Sequence, residues 1–176
     1  GQVYNVMGQL TTTTGNPPNI TYRGVDLTGS KIKSISSGTG GCKRIAVFSG
    51  SGRIGISCDG NQSSSDNYMV QAFPKNAWGK KYLTCRTGGN MTNNIYRVCV
   101  ADPATVVTVN GLPIGTPLIN NFYYEIAATA TLQRIESDLP ILVAQYITSQ
   151  NECGNGNPGD PEVIYLSPVE QNISKV

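Results

Sequence analysis

Apolar runs of strand length, separated by polar turns, set the rhythm of the chain. Ile141 to Ala144 form one run and Val163 to Leu166 another. Between them Asn151 to Pro158 is rich in Asn and Gly and shows no periodicity, so the segment reads as strand, exposed loop, strand. A weaker copy lies earlier. Ile45-Ala-Val-Phe-Ser-Gly50 corresponds to the stretch from Ile141 to Gln145, and Asp66 to Pro74 corresponds to Asp160 to Pro168 with the same Asp-to-Pro interval. The pattern is that of an internal repeat of half-exposed strands.

The rest of the chain follows the same period. Gln2 to Met7 alternates polar and apolar, as does Ser30 to Ser36, where Ile32 and Ile35 fall out of phase and predict a bulge. Thr11 to Tyr22, with Gly15-Asn-Pro-Pro18, is expected to be a long loop. Lys43 to Ser57 is expected to be a hairpin turning at Ser49-Gly-Ser-Gly52. Tyr68 to Phe73 and Lys80 to Arg86 read as strands, with Trp78 as a plug of the core. Ile95 to Val100 places Tyr96, Val98 and Val100 on one face. Thr105 to Val109 is β-branched, and Asn110-Gly111 is a strong hairpin signal. Leu112 to Leu118 carries two prolines, as an edge strand does. Asn121 to Ile126 begins the second copy.

No stretch keeps a helical period beyond about two turns, and about eleven short strands are predicted. The fold class is therefore all-β: an antiparallel, sandwich-like array built from the repeat. Residues 1–118 form the first repeat unit and residues 119–176 a second, truncated one, packed as one body. The pattern is expected to break off at Ile173 to Val176, leaving strand edges to be covered.

Composition narrows the chemistry. Charged residues are only 14% and hydrophobic ones 39%, so the surface is built from Ser, Thr, Asn, Gln and Gly, as in secreted and cell-surface β proteins. Net charge is +2 with no basic stripe, which speaks against nucleic-acid binding. No apolar run approaches the roughly 20 residues of a helical membrane span. The absence of histidine removes the commonest general base and metal ligand. No cofactor is implied and no catalytic residue is assigned.

Five cysteines without a C-x-x-C pair suit disulfides better than zinc. Cys42 with Cys58, and Cys85 with Cys99, flank predicted turns and are expected to bridge neighbouring strands. Cys153 is left over in the exposed loop, as a thiol or as a replacement partner in one of these pairs. Asp138, Asp160 and Glu162 flank that loop but read as turn and strand-start chemistry, and Asp59-Gly-Asn-Gln-Ser lacks the acidic residue an EF-hand requires. Candidate binding loops are Thr11 to Tyr22 with Asn16 and Asn19, Asp59 to Asn67 with Asp59 and Asn61, and Asn151 to Pro158 with Asn151 and Asn155, followed by Asp160.

Several of these phrases together carry a family resemblance. They are Asp66 to Tyr82 with Trp-Gly-Lys-Lys-Tyr, Asn94-Ile-Tyr-Arg-Val98, Thr108-Val-Asn-Gly111, Ile135 to Tyr146, and Gly159 to Gln171. The chain resembles the N-terminal domain of the IgG Fc-binding protein family in its bacterial secreted or cell-surface form. The resemblance implies an extracellular binding domain without catalysis. The expected function is a non-enzymatic adhesion or protein-binding module of a larger surface protein, with a protein or glycan ligand. The alternative is a structural subunit of a surface filament whose strand edges a neighbouring chain completes, giving a homo-oligomer through sheet edges.

Overall fold

A computed structural model describes residues 2–36, 38, 40–60, 64–157 and 159–172. Among the described residues the polypeptide forms eleven strands: β1 Leu10–Thr14, β2 Thr21–Gly24, β3 Phe48–Ile54, β4 Asp66–Gln71, β5 Gly79–Leu83, β6 Asn94–Val100, β7 Val107–Val109, β8 Leu112–Pro113, β9 Tyr123–Thr129, β10 Arg134–Ile147 and β11 Glu162–Tyr165. The helical content described is two single 3₁₀ turns, Lys75–Ala77 and Val169–Gln171. Two compact units result, Gly1–Ser30 and Lys31–Val176. The first contains the β1–β2 hairpin.

The second unit is organised by β10, fourteen residues long, which changes partners along its length. Arg134–Ser137 lies between β5 and β7, whereas Ile141–Ile147 lies between β6 and β11. The irregularity between these halves falls at Asp138-Leu-Pro140, where proline cannot donate to a ladder. The sheet order is β8-β7-β10-β6-β9, antiparallel throughout, with β5 and β11 on the other side of β10. The sheet curls around Tyr82, Tyr96, Val98, Val100, Val107, Ile135, Ile141 and Val143, which form one buried cluster. Its opposite face, at Ala144 and Val163, packs with Ile56 and is flanked by Ile54, Tyr68 and Val70 from the separate β3–β4 hairpin. Burial on both faces explains why Ile141 to Ala144 is continuously apolar instead of alternating. The β6 pattern, buried at Asn94, Tyr96, Val98 and Val100, keeps the period of two read from the sequence.

The all-β expectation holds, as a curled, sandwich-like antiparallel sheet. The Asn110-Gly111 turn also holds: both residues adopt positive φ, 54° and 85°, and join β7 to β8.

Four local expectations do not hold. Gln2 to Met7 and Ser30 to Ser36 are not strands. Thr11 to Tyr22 is not one loop, because its ends belong to the paired strands β1 and β2. Ser49-Gly-Ser-Gly52 is not a turn. It runs straight through β3, pairing with β4, and the reversal comes after Ile54. The expected start of a further copy at Ile173 to Val176 lies outside the described residues.

The disulfide pairings Cys42–Cys58 and Cys85–Cys99 are corrected for the same kind of reason. Cys58 is bonded to Cys153 with a Cα separation of 5.2 Å, while Cys42 and Cys85 are exposed thiols and Cys99 forms no disulfide with Cys85. Because β3 does not turn, Cys42 and Cys58 lie beyond opposite ends of a strand some 23 Å long at ~3.3 Å per residue. Because β5 pairs with β10 and not with β6, no hairpin brings Cys85 opposite Cys99. The Cys85 carbonyl instead accepts from Tyr96 Oη and Gln145 Nε2 on the inner face, whereas Cys99 alternates onto the outer face.

Candidate binding surface

The second unit gathers three loops at one end of the sheet: Ser57 to Gly60 after β3, Gly88 to Asn93 before β6, and Thr148 to Asn157 after β10. The chain arrives there with Thr148 and Ser149, both fully buried directly after the apolar strand. Burial of such hydroxyls demands partners. Ser149 Oγ donates to the Ser64 carbonyl and accepts from the Ile56 amide, and the Ser149 amide donates to the Ile56 carbonyl. Asn155 is the second knot. Its Nδ2 donates to the Asn93 carbonyl at 2.7 Å and to Thr148 Oγ1 at 2.8 Å, and its Oδ1 accepts from the Asn93 amide at 2.8 Å. Asn93 Nδ2 in turn donates to the Cys153 carbonyl, and the Gly156 amide to the Asn90 carbonyl. The Cys58–Cys153 bridge closes the assembly covalently.

The platform is therefore preorganised from beneath, and its exposed residues are polar: Asp59, Asn90, Asn151, Asn157 and Asp160. Among the expected loop residues, Asp59 and Asn151 share the bridged loop pair and are exposed. Asp160 is exposed nearer β11. Asn155 is only 6% exposed, so it shapes the platform instead of presenting itself. Asn61 lies outside the described residues. Asn16 and Asn19 sit at the tip of the β1–β2 hairpin of the first unit, where the Asn19 amide donates to the Asn16 carbonyl. The residues that hold the platform and that the sequence reading missed are Asn93, Thr148 and Ser149. Their signal was present: Thr148-Ser149 extends an apolar strand with no intervening Gly or Pro.

Two of the acids singled out in the sequence accept from backbone amides. Asp138 lies in the β10 irregularity, where its Oδ1 accepts from the Val106 amide, and Glu162 Oε1 accepts from the Val163 amide. Among the described residues no group of three or more Cys, Asp or Glu side chains could hold a metal ion. Trp78 is half-buried and donates to the Phe73 carbonyl.

Beside the platform the outer face of the sheet carries a charged and aromatic row. Arg97 of β6 lies 4.8 Å from the Tyr123 ring centroid and 5.1 Å from that of Tyr146, and its Nε meets Glu125 Oε2 at 2.9 Å. The inner face has polar atoms of a different kind. Tyr82 Oη donates to the Ile141 carbonyl at 2.6 Å and accepts from the Gly79 amide. Burial pushes the Tyr82 phenol above its ordinary value, and the same cause raises Tyr96 and Tyr165.

Compared with known families, the chain matches the model described as IgGFc binding protein over residues 1–176. The chain belongs to the IgGFc binding protein family. It is accordingly a non-enzymatic, extracellular or cell-surface protein-binding module. Searches of curated proteins and of solved structures returned no match. Among the described residues no further named strand pairs beyond β8 or β9, and the stapled loops stand next to the second of these.

Proposed function

We propose that the domain is an adhesion module of a larger cell-surface or secreted protein, and that the stapled platform makes the contact with a protein or glycan ligand. The observation that carries this reading is the contrast within the platform. Its underside is fixed by the Cys58–Cys153 bridge and by the Asn155 and Ser149 hydrogen bonds, while Asp59, Asn151 and Asn157 are exposed and close no strand pairing. Loops already ordered before contact lose less conformational freedom on binding, which favours affinity. The family description makes immunoglobulin Fc the first ligand to try.

The test is a biosensor titration of the immobilised domain with IgG Fc, a mucin and a panel of extracellular glycoproteins. Binding to at least one is expected, with a tenfold or greater loss in the Asp59→Ala, Asn151→Ala double variant. Binding that ignores the double variant, or no binding across the panel, rejects the platform. The filament-subunit alternative draws on the open edges of β8 and β9. It requires concentration-dependent polymers in sedimentation velocity, and a chain that stays monomeric at high concentration removes it.

A further inference from the structure

The sheet edges of the second unit are unequally guarded. β8 is two residues long and ends in Pro113. β5 carries Lys80 and Lys81, both exposed, and β11 has four residues led by the exposed Glu162. These are the usual devices against strand pairing: shortness, proline and charge. β9 is seven residues long, Tyr-Tyr-Glu-Ile-Ala-Ala-Thr, and its one charged side chain, Glu125, is engaged by Arg97.

The phase of the ladder shows which backbone groups β9 offers. The Val100 amide donates to the Phe122 carbonyl, so Tyr124 and Ile126 exchange hydrogen bonds with β6 and the alternate residues turn their backbone outwards. At Tyr123 the outward groups are taken by Ile119. At Glu125 the outward amide and carbonyl have no backbone partner among the described residues. Just beyond, two residues, Ala127 and Ala128, span the register shift opposite Ile95. Here the strand borders a cavity of about 200 Å³ lined by Ser57, Cys58, Ile95, Glu125, Ala127 and Ala128. That is below the ~300 Å³ at which small-molecule sites begin and is on the scale of one side chain.

The geometry points to strand addition at β9: an extended segment of a different polypeptide pairs with the backbone around Glu125 and seats one branched aliphatic side chain in the cavity beside Ala127. Backbone pairing supplies affinity in this mode and a pocket for alternate side chains supplies selectivity. The cavity wall formed by Ser57 and Cys58 is also the edge of the platform, so the inference rests on the platform reading and assigns its partner an extended stretch next to the loop contact. The same strand of a second copy is a poor occupant. Antiparallel self-pairing of β9 offers the cavity Glu125 or Ala127 of the other copy, an acid or a single methyl where a larger apolar group is needed.

The probe is a set of ten-residue peptides alternating threonine with apolar residues and varied at one central position, titrated by fluorescence anisotropy against the whole chain. Peptides with Val, Ile or Leu at that position are expected to bind at least tenfold more tightly than those with Gly, Asp or Lys. Methylating the peptide amides that face β9 is expected to abolish binding. Ala127→Leu fills the cavity from an exposed position and is expected to reduce binding at least tenfold with the thermal midpoint unchanged. The inference is overturned by binding indifferent to amide methylation or to Ala127→Leu, by no binding at millimolar peptide, or by an Ala127→Leu-sensitive dimer in sedimentation. Loss of ligand binding in the Asp59→Ala, Asn151→Ala variant together with full binding in Ala127→Leu overturns strand addition while leaving the platform intact.

Discussion

Replacing both Cys58 and Cys153 with serine isolates the contribution of the bridge, because neither sulfur belongs to a core cluster. The bond closes a loop with a sequence separation of 95 residues. Chain-closure entropy for a loop of ~100 residues gives about 4.7 kcal/mol at 25 °C, and native bridges typically deliver ~2–4 kcal/mol. Cys58 is itself exposed and a serine can be solvated there, so little native-state cost adds to the effect of the freer unfolded state. A loss of about 3–5 kcal/mol is expected in urea unfolding followed by tryptophan fluorescence. The unfolded chain should also expand once the tether is gone, which raises the denaturant slope m along with the fall in midpoint. A loss below about 1 kcal/mol with m unchanged refutes the reasoning. So does non-reducing peptide mapping that pairs Cys58 with Cys42.

Asn155→Ala removes three hydrogen bonds from a buried position and leaves the Asn93 amide and carbonyl without those partners. It should cost about 2–4 kcal/mol with m unchanged, which separates it from the disulfide variant in the same urea assay. Ile135→Ala, at a fully buried position in the curled core, should cost ~2–5 kcal/mol by calorimetry. Gly79→Ala places a Cβ 2.2 Å from Pro168 Cβ and should cost ~1–3 kcal/mol, read as a lower thermal midpoint. Tyr82, Tyr96 and Tyr165 have raised phenol pKa values through burial, so the folded state holds protons that the unfolded state gives up. Their stabilising effect is full below pH ~10 and is lost as pH rises from there through the folded values. Urea midpoints measured from pH 8 to 11 check this, and a flat profile above pH 10 contradicts it.

What could be read from the chain divides by the range of the interaction. Ile95 to Val100 and Asn110-Gly111 were legible because side-chain alternation and turn conformation are local properties of a few residues. Ile141 to Ala144 was legible as a strand, since continuous apolarity marks burial on both faces whatever the partners. Ser49-Gly-Ser-Gly52 misled because glycine permits a turn without requiring one. Pairing with Tyr68 to Gln71 holds the segment extended, and that pairing is set by residues well along the chain. The two hairpin disulfides failed for the same reason, whereas the alternative in which Cys153 replaces a partner in one pair held. Adjacent cysteines in sequence are neighbours in space only if the intervening segment is a hairpin, and partner choice in this sheet is made by β10. The polar loops were picked out by composition, but composition could not separate Asn151, which faces solvent, from Asn155, which is buried: that distinction belongs to the Asn93 backbone more than sixty residues away.

This division also bears on how such a module can vary its ligand. The first buried cluster draws on β5, β6, β7 and β10, and none of its side chains comes from the platform loops. The platform is held by other means, one bridge and a set of buried amide and hydroxyl bonds. Asp59, Asn151 and Asn157 are exposed and belong to neither core cluster. Loss of a staple, by contrast, should release the loops at lower free energy than the sheet, as a local opening detectable by hydrogen exchange at the Gly156 and Asn93 amides. β9 stands between these two regimes. Its inner residues Tyr124 and Ile126 pack against the core, while its outward edge borders the stapled loops. A ligand pairing with β9 would thus couple platform and core, raising the stability of both, whereas one contacting the loop tips alone would leave sheet exchange unaltered.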